Sequence, residues 1–269
     1  MNSPNEGVTA QDGRRARNRP WLRSWLGLFV PAVLAFALLV ALGTWQIQRK
    51  AWKENLIAAL TERLAAPATE LPPPADWPKL DRARDEYGRV KFGATFDNGR
   101  EALVFAAPSA FRPDVAGPGY WVFTPARLAS GGIVMVNRGF VPDGRRDPKT
   151  RPQGAMAGPV AITGALRWPD DRYWFTPNDD PAHNLWFTRD PAAIAAAKGL
   201  AKGLNSPGSP VAPFYVEQEA PVPAGGLPQP GALKVALSDN HLQYALTWYG
   251  LAAVLAAVFS VWTFTSRRQ

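Results

Sequence analysis

Little in this chain can do chemistry, so the few residues able to bind or react are conspicuous. There are two histidines and no cysteine among 269 residues. Without cysteine there can be no disulfide, thiolate metal site, iron–sulfur centre, covalent c-type haem link or thiol nucleophile. A phosphate-cradling glycine loop, a dinucleotide fingerprint, a Gly-x-Ser-x-Gly elbow and a His-Glu-x-x-His pair are all missing from the sequence. His241 stands in Ser238-Asp239-Asn240-His241-Leu242-Gln243-Tyr244, where an apolar run begins. On a helix, His241, Tyr244, Ala245, Trp248 and Ala252 would share a face. That face joins an imidazole and two aromatic rings to small residues that leave room for a flat ligand. The positive end of a helix disfavours imidazolium, so the ring should be neutral, as an axial ligand to haem iron must be. A capping or interfacial histidine is the other reading, and these residues alone leave both open. His183, in Asp179-Asp180-Pro181-Ala182-His183-Asn184, reads as an exposed loop residue. Asp170-Asp171 and Asp179-Asp180 read as solvated turns beside Pro and Asn rather than an acid–base pair. The chain is therefore expected not to be an enzyme.

Two apolar runs must position these groups. Residues 24–48 carry no charge, and neither do residues 240–266. At about 1.5 Å per residue, roughly 20 residues cross a hydrocarbon core of about 30 Å, so both read as transmembrane helices. Pro31 is tolerable inside a membrane bundle, and Trp21, Trp25 and Trp45 sit where interfacial aromatics are expected. A cleavable signal peptide, with a site near Ala41-Leu42-Gly43, is the rival reading of the first run. The run's length and bulky Trp45 favour a retained helix. The net charge of +8 is concentrated in the tails. Residues 1–23 hold five arginines and residues 267–269 hold two, whereas the stretch from Arg49 to Asp239 is nearly balanced. This pattern orients a membrane protein with both termini cytoplasmic and does not mark a nucleic-acid binder. Arg49, Lys50 and Lys53 on the outer flank are fewer than the five arginines opposing them. The lack of an obvious transit peptide favours a bacterial inner membrane, with the central domain periplasmic.

Between the spans, residues 49–78 read as an exit helix, with Trp52, Leu56 and Leu60 at i+4 spacing, followed by a proline-rich linker. Residues 79–219 read as a mainly antiparallel β domain, sandwich or small barrel, with a minor helix. Val90–Phe96 and Glu101–Phe105 are expected to form a hairpin through Asp97-Asn98-Gly99. Tyr120–Thr124 and Ile133–Asn137 form a second pair, with Ser130-Gly131-Gly132 near the turn. Further strands are expected at 160–166, 185–188 and 214–217. Asp190 should cap a helix over 191–200, with Pro191 in its first turn. Residues 220–239 are a second Pro/Gly linker.

Three segments carry a family resemblance. Gly43-Thr44-Trp45-Gln46-Ile47-Gln48-Arg49-Lys50 resembles a Gly-x-Trp-Gln-x-x-Arg signature that leaves a first span. Asn137-Arg138-Gly139-Phe140-Val141-Pro142 is similar to an Asn-Arg-Gly-Trp-Val-Pro motif. Asn240-His241-Leu242-Gln243-Tyr244-Ala245, followed by Trp248, looks like a second-span Asn-His-x-x-Tyr-Ala pattern. In order and placement they resemble the Surfeit locus protein one family, membrane factors for assembly of haem–copper cytochrome oxidase. The resemblance implies a non-enzymatic factor that binds haem a and helps insert it into the large subunit of cytochrome c oxidase. Its implied partners are that subunit, the haem a synthesis machinery and membrane lipid. His241 would be the axial ligand, with Tyr244, Trp248 and Trp45 around the macrocycle and Arg49 and Lys50 toward its propionates. Asn137, Arg138 and Gly139 would form a second functional motif, or else a turn stapled by arginine contacts. A haem-free scaffold that holds a respiratory complex through the outer domain is the alternative.

Overall fold

A computed structural model describes residues 20–106, 112, 114–115, 117–200, 209–235 and 239–266, with side chains from residue 27 onward. Arg14, Arg15, Arg17, Arg19, Arg267 and Arg268 of the tails lie outside the described residues, as do the side chains of Trp21, Arg23 and Trp25. The chain divides into two compact units, one of Met1–Trp52 with Asp239–Gln269 and one of Lys53–Ser238.

The first unit takes its structure from α1 (Pro20–Ala65) and α4 (His241–Ser266). Each contains a stretch long and apolar enough to cross a membrane. Leu34, Leu38, Leu246, Val254 and Val258 all point outward. Water would charge roughly 25 cal/mol for each Å² of such surface, whereas lipid tails do not, so these are candidate membrane spans. Pro31 lies within α1 without ending it. The helix also runs through the predicted exit segment without a break. Its last turns belong to the second unit, where Arg63 donates to the carbonyls of Ala83 and Glu86 at 3.1 and 3.3 Å.

The second unit is a barrel. Its strands are β1 (Thr69–Glu70), β2 (Arg89–Phe96), β3 (Ala102–Phe105), β4 (Gly119–Leu128), β5 (Ile133–Pro142), β6 (Pro159–Arg167), β7 (Leu185–Trp186) and β8 (Val211–Ala220). Neighbours in the sheet run β1-β2-β6-β8-β5-β4-β3-β7, and a further β2–β4 pairing closes the ring. Five strands, β2-β4-β5-β8-β6, therefore make a closed Greek-key barrel, the architecture of OB-folds. All pairings around it are antiparallel except β5 with β8. Closure removes the open edges of the ring, and what edge remains ends in the two-residue strands β1 and β7.

Alternation explains the core. Val90, Phe92, Ala94 and Phe96 of β2 point inward, while Lys91, Gly93 and Thr95 do not. They meet Val134, Val136, Ile162, Phe214 and Val216 inside the barrel. Trp77 plugs one end, edge-on to Phe214 at 5.7 Å, with its indole N–H on the Pro72 carbonyl at 2.9 Å. A second apolar layer lies outside the barrel, where Val104, Trp121, Phe123, Met135 and Tyr215 pack with Ile194 of α3 (Pro191–Ala197). Asp190 caps α3 as expected, accepting from the amides of Ala192 and Ala193 at 2.9 and 3.1 Å. A further helix, α2 (Arg82–Asp85), is a single turn capped by Asp81.

Two expectations need correction. The β4–β5 hairpin forms, with Gly131 and Gly132 at positive φ in its turn, but β2 and β3 do not pair. Both lie on the same side of β4, one after the other: Phe96 opposite Ala126, Ala102 opposite Phe123. Asn98–Arg100 is a 3-10 turn, and Gly99 is not at the positive φ that a tight two-residue hairpin turn demands. The Asn98 side chain donates instead to the Met156 carbonyl. The predicted strand at 185–188 is also shorter, ending at Trp186, because the Phe187 amide donates to Asp179 rather than to a strand.

Candidate functional site

Within the first unit, α1 and α4 run antiparallel. Gln46 meets His241, Thr44 meets Tyr249 and Phe29 meets Phe259. Ala245 and Ala252, two helical turns apart, are the buried residues of α4. The Tyr249 ring lies against Gly43, its Cε1 2.8 Å from where a β-carbon would stand, and its hydroxyl is 3.0 Å from Thr44 Oγ1. Gly43 is thus covered by an aromatic side chain.

At the start of α4 the cap is made without the imidazole. Asp239 Oδ1 accepts the His241 amide at 2.9 Å, and the Asn240 carbonyl takes the first helical bond, from Tyr244. The ring of His241 turns to α1, its Nδ1 2.7 Å from Gln46 Oε1. An amide oxygen only accepts, so Nδ1 is the donor in this contact, and in the neutral ring the lone pair is then on Nε2. Among the described residues nothing hydrogen-bonds Nε2. A neutral imidazole whose other nitrogen is fixed by a carbonyl is the arrangement that metal-ligating histidines show. A metal centre that takes a neutral nitrogen donor, haem iron among them, would suit this donor.

The other predicted residues are unequally placed. Trp248 is half-buried, whereas Tyr244 and Trp45 are exposed. Trp45 lies about 100° around α1 from Gln46. The Arg49 guanidinium stands 3.8 Å above the Trp52 ring, and Lys50 is half-buried. Gln46 and Tyr249 escaped sequence reasoning, since only helical phase across 195 residues of separation identifies Gln46 as the partner of His241.

Asn137, Arg138 and Gly139 lie in the other unit and form a β-bulge. Trp121 pairs with Phe140 and Phe123 with Asn137, so β5 has one residue more than β4. Gly139 absorbs it at φ +117°. Asn137 holds the bulge from within, its Oδ1 accepting the Gly139 amide and its Nδ2 donating to Glu217 at 2.9 Å. Arg138 is 1% exposed, lies over Phe96 and donates to Asn98 Oδ1 and the Gly154 carbonyl. Burial pushes its guanidinium down to about 10. Phe140 then exchanges backbone hydrogen bonds with Gln229, pinning the linker that leads toward α4. This motif is an interior staple.

The loop carboxylates are more than solvated turns. Asp170 pairs with Arg189 at 2.7 Å, and Asp179 accepts from the Phe187 amide, the Thr188 hydroxyl and Arg172. Burial of Asp179 pushes its carboxyl up, but these three donors outweigh it and hold the group below its ordinary value of 3.8. A depressed carboxylate stabilises the fold above that value and ceases to as pH falls through its folded value. Thermal midpoints should fall as pH drops from 5 to 3, and Asp179→Asn should flatten part of that slope. An unchanged slope would show that Asp179 contributes nothing. His183 is exposed and bonds Asp180 at 2.7 Å. Among the described residues no cluster of three or more His, Asp or Glu could hold a metal ion.

Comparison with known proteins places residues 33–253 under the family model described as "SURF1 family". Surfeit locus protein 1 of Rattus norvegicus is 35% identical over 239 residues, 85% of this chain and 72% of that protein. The protein of the same name from Homo sapiens is 34% identical over 240 residues, 85% and 73% of the two chains. SURF1-like protein of Drosophila melanogaster is 34% identical over 242 residues, again 85% and 73%.

Proposed function

This chain belongs to the SURF1 family, and from that premise we propose a non-enzymatic assembly factor for haem–copper cytochrome c oxidase that binds haem a for insertion into the large subunit. The observation that carries the haem reading is the Nδ1–H bond from His241 to Gln46, which leaves Nε2 with its lone pair available. A bound haem iron would supply a Lewis-acidic centre, and His241 Nε2 is the atom that would hold it. The residues of the chain do the rest. Gln46 fixes the tautomer and the ring plane, and Asp239 anchors the backbone at the base of the ring. Trp248 offers an apolar surface nearby. Arg49 and Lys50, one turn beyond Gln46 on α1, supply cations for propionates.

The two candidate spans fit a bacterial inner-membrane protein with both termini cytoplasmic and the barrel periplasmic. The haem a synthesis machinery supplies the cofactor, and the oxidase subunit receives it. The full chain, purified after co-expression with haem a synthesis, should show a Soret band at close to one haem per chain. A haem-free preparation that still binds the oxidase subunit would instead make the protein a structural scaffold.

A further inference from the structure

Three consecutive aromatic side chains stand in solvent on the barrel unit. Tyr173, Trp174 and Phe175 are 60, 95 and 65% exposed. Apolar side chains scattered singly over a surface are ordinary, but three contiguous aromatic rings form a patch that calls for a covering surface. They are also not the tip of a slack loop. The Thr176 amide donates to the Tyr173 carbonyl at 3.0 Å, and Thr176 Oγ1 accepts the Tyr173 amide at 3.1 Å. Arg172 donates to Asp179 at 2.9 Å and to the Pro177 carbonyl, closing the base of the turn. Arg189 holds Asp170 on the incoming side. The rings order one another as well, with Tyr173 and Phe175 stacked at 5.5 Å and 4°, and Trp174 edge-on to Phe175. The fold thus presents a preorganised aromatic knob.

We propose that the Tyr173-Trp174-Phe175 turn is a membrane-interface anchor that enters the head-group layer of the bilayer holding this chain. Tyr and Trp carry flat apolar rings with a polar handle, the combination enriched at lipid–water boundaries. The charges beside the knob are largely neutralised, Arg172 by Asp179 and Asp170 by Arg189, and Asp171 lies 3.4 Å from Arg82. Little repulsion therefore opposes approach to lipid phosphates. Both ends of the barrel unit continue into candidate spans. A tethered domain meets its bilayer at high effective concentration, so three rings suffice where a free protein would need more. The anchor limits the orientations open to the barrel on the membrane, whatever cargo the protein handles.

The absence of cysteine makes the test direct, because a single introduced thiol is a unique labelling site. Asp171→Cys and, separately, Lys149→Cys are labelled with an environment-sensitive fluorophore on the full chain. Both are reconstituted in phosphatidylethanolamine and phosphatidylglycerol vesicles containing brominated lipid. The label at 171 should be blue-shifted and quenched at least twofold. Combining it with Tyr173→Ser, Trp174→Ser and Phe175→Ser should remove that quenching while leaving the label at 149 unchanged. Trp174→Ser alone, at a site too exposed to disturb the core, should remove a large part of it. An unquenched label at 171, or quenching that survives the triple substitution, overturns the proposal and turns the knob toward a protein partner or a second copy of the chain.

Discussion

Gly139→Ala is expected to leave the barrel unit unfolded or severely destabilised, although it adds one methyl group. A β-carbon there would lie 2.0 Å from the Gln229 carbonyl oxygen and 2.5 Å from the Pro230 nitrogen. Both are backbone atoms, so no side-chain rotation relieves the clash. The φ of +117° adds strain of its own for any L side chain, roughly 1–3 kcal/mol. Overpacking typically costs about 1–3 kcal/mol more. A domain is stable by only about 5–15 kcal/mol, so this is a large fraction of the whole. The change would also push away Gln229, whose two backbone bonds to Phe140 pin the linker toward α4. Gly131→Ala is the matched control: its φ is +79°, but nothing lies within 4 Å of the added carbon. It should cost only the conformational part, about 1 kcal/mol. Equal thermal midpoints for the two variants would show that the contact at Gln229 carries no weight.

Much of the architecture was legible because the signals were local. Twenty-five uncharged residues before Arg49 can hardly be other than a buried or membrane helix. Asp190-Pro191 announces a helix start, and two glycines at 131–132 announce the β4–β5 turn. Misreadings arose where local chemistry is overridden at a distance. Asp97-Asn98-Gly99 has the composition of a hairpin turn, but the Asn98 side chain is engaged by Met156 and Arg138. Its flanking strands therefore pass on to different stretches of β4. The parallel pairing of β5 with β8 joins Ile133 to Val211, a separation no sequence periodicity encodes. The Asn137-Arg138-Gly139 segment shows the same limit from the other side. Its resemblance left it open as a functional motif or a turn stapled by arginine contacts, and composition decides neither. The extra residue in β5 that makes it a bulge is visible only once Trp121 and Phe123 have chosen their partners.

For the candidate site, composition located the imidazole and the fold supplied its partner, and the two can be separated by experiment. His241→Ala should abolish axial ligation by this chain, with loss of the Soret band assigned to it, while the protein remains folded and in the membrane. The imidazole takes no part in capping α4, because Asp239 and Asn240 do that from the backbone outward. Helix stability should therefore be nearly unaffected, and the spectral loss cannot be ascribed to a melted α4. Gln46→Leu keeps the ligand but removes the acceptor that fixes Nδ1–H. Loss of such a supporting hydrogen bond typically costs about 10–100-fold in metal affinity. The haem dissociation constant should rise by that much, with an axial-histidine spectrum retained at saturating haem. Gln46→Glu restores an acceptor and should recover most of the affinity. His183→Ala, whose ring bonds only Asp180 among the described residues, should change nothing in the spectrum. The graded order, Gln46→Glu above Gln46→Leu above His241→Ala, distinguishes a ligand oriented by its neighbour from a residue that merely lines a pocket. If His241→Ala retained haem with its axial-ligand bands unmoved, iron coordination would have to be sought elsewhere. The Gln46–His241 bond would then be a tie between two helices, worth about 1 kcal/mol and no more.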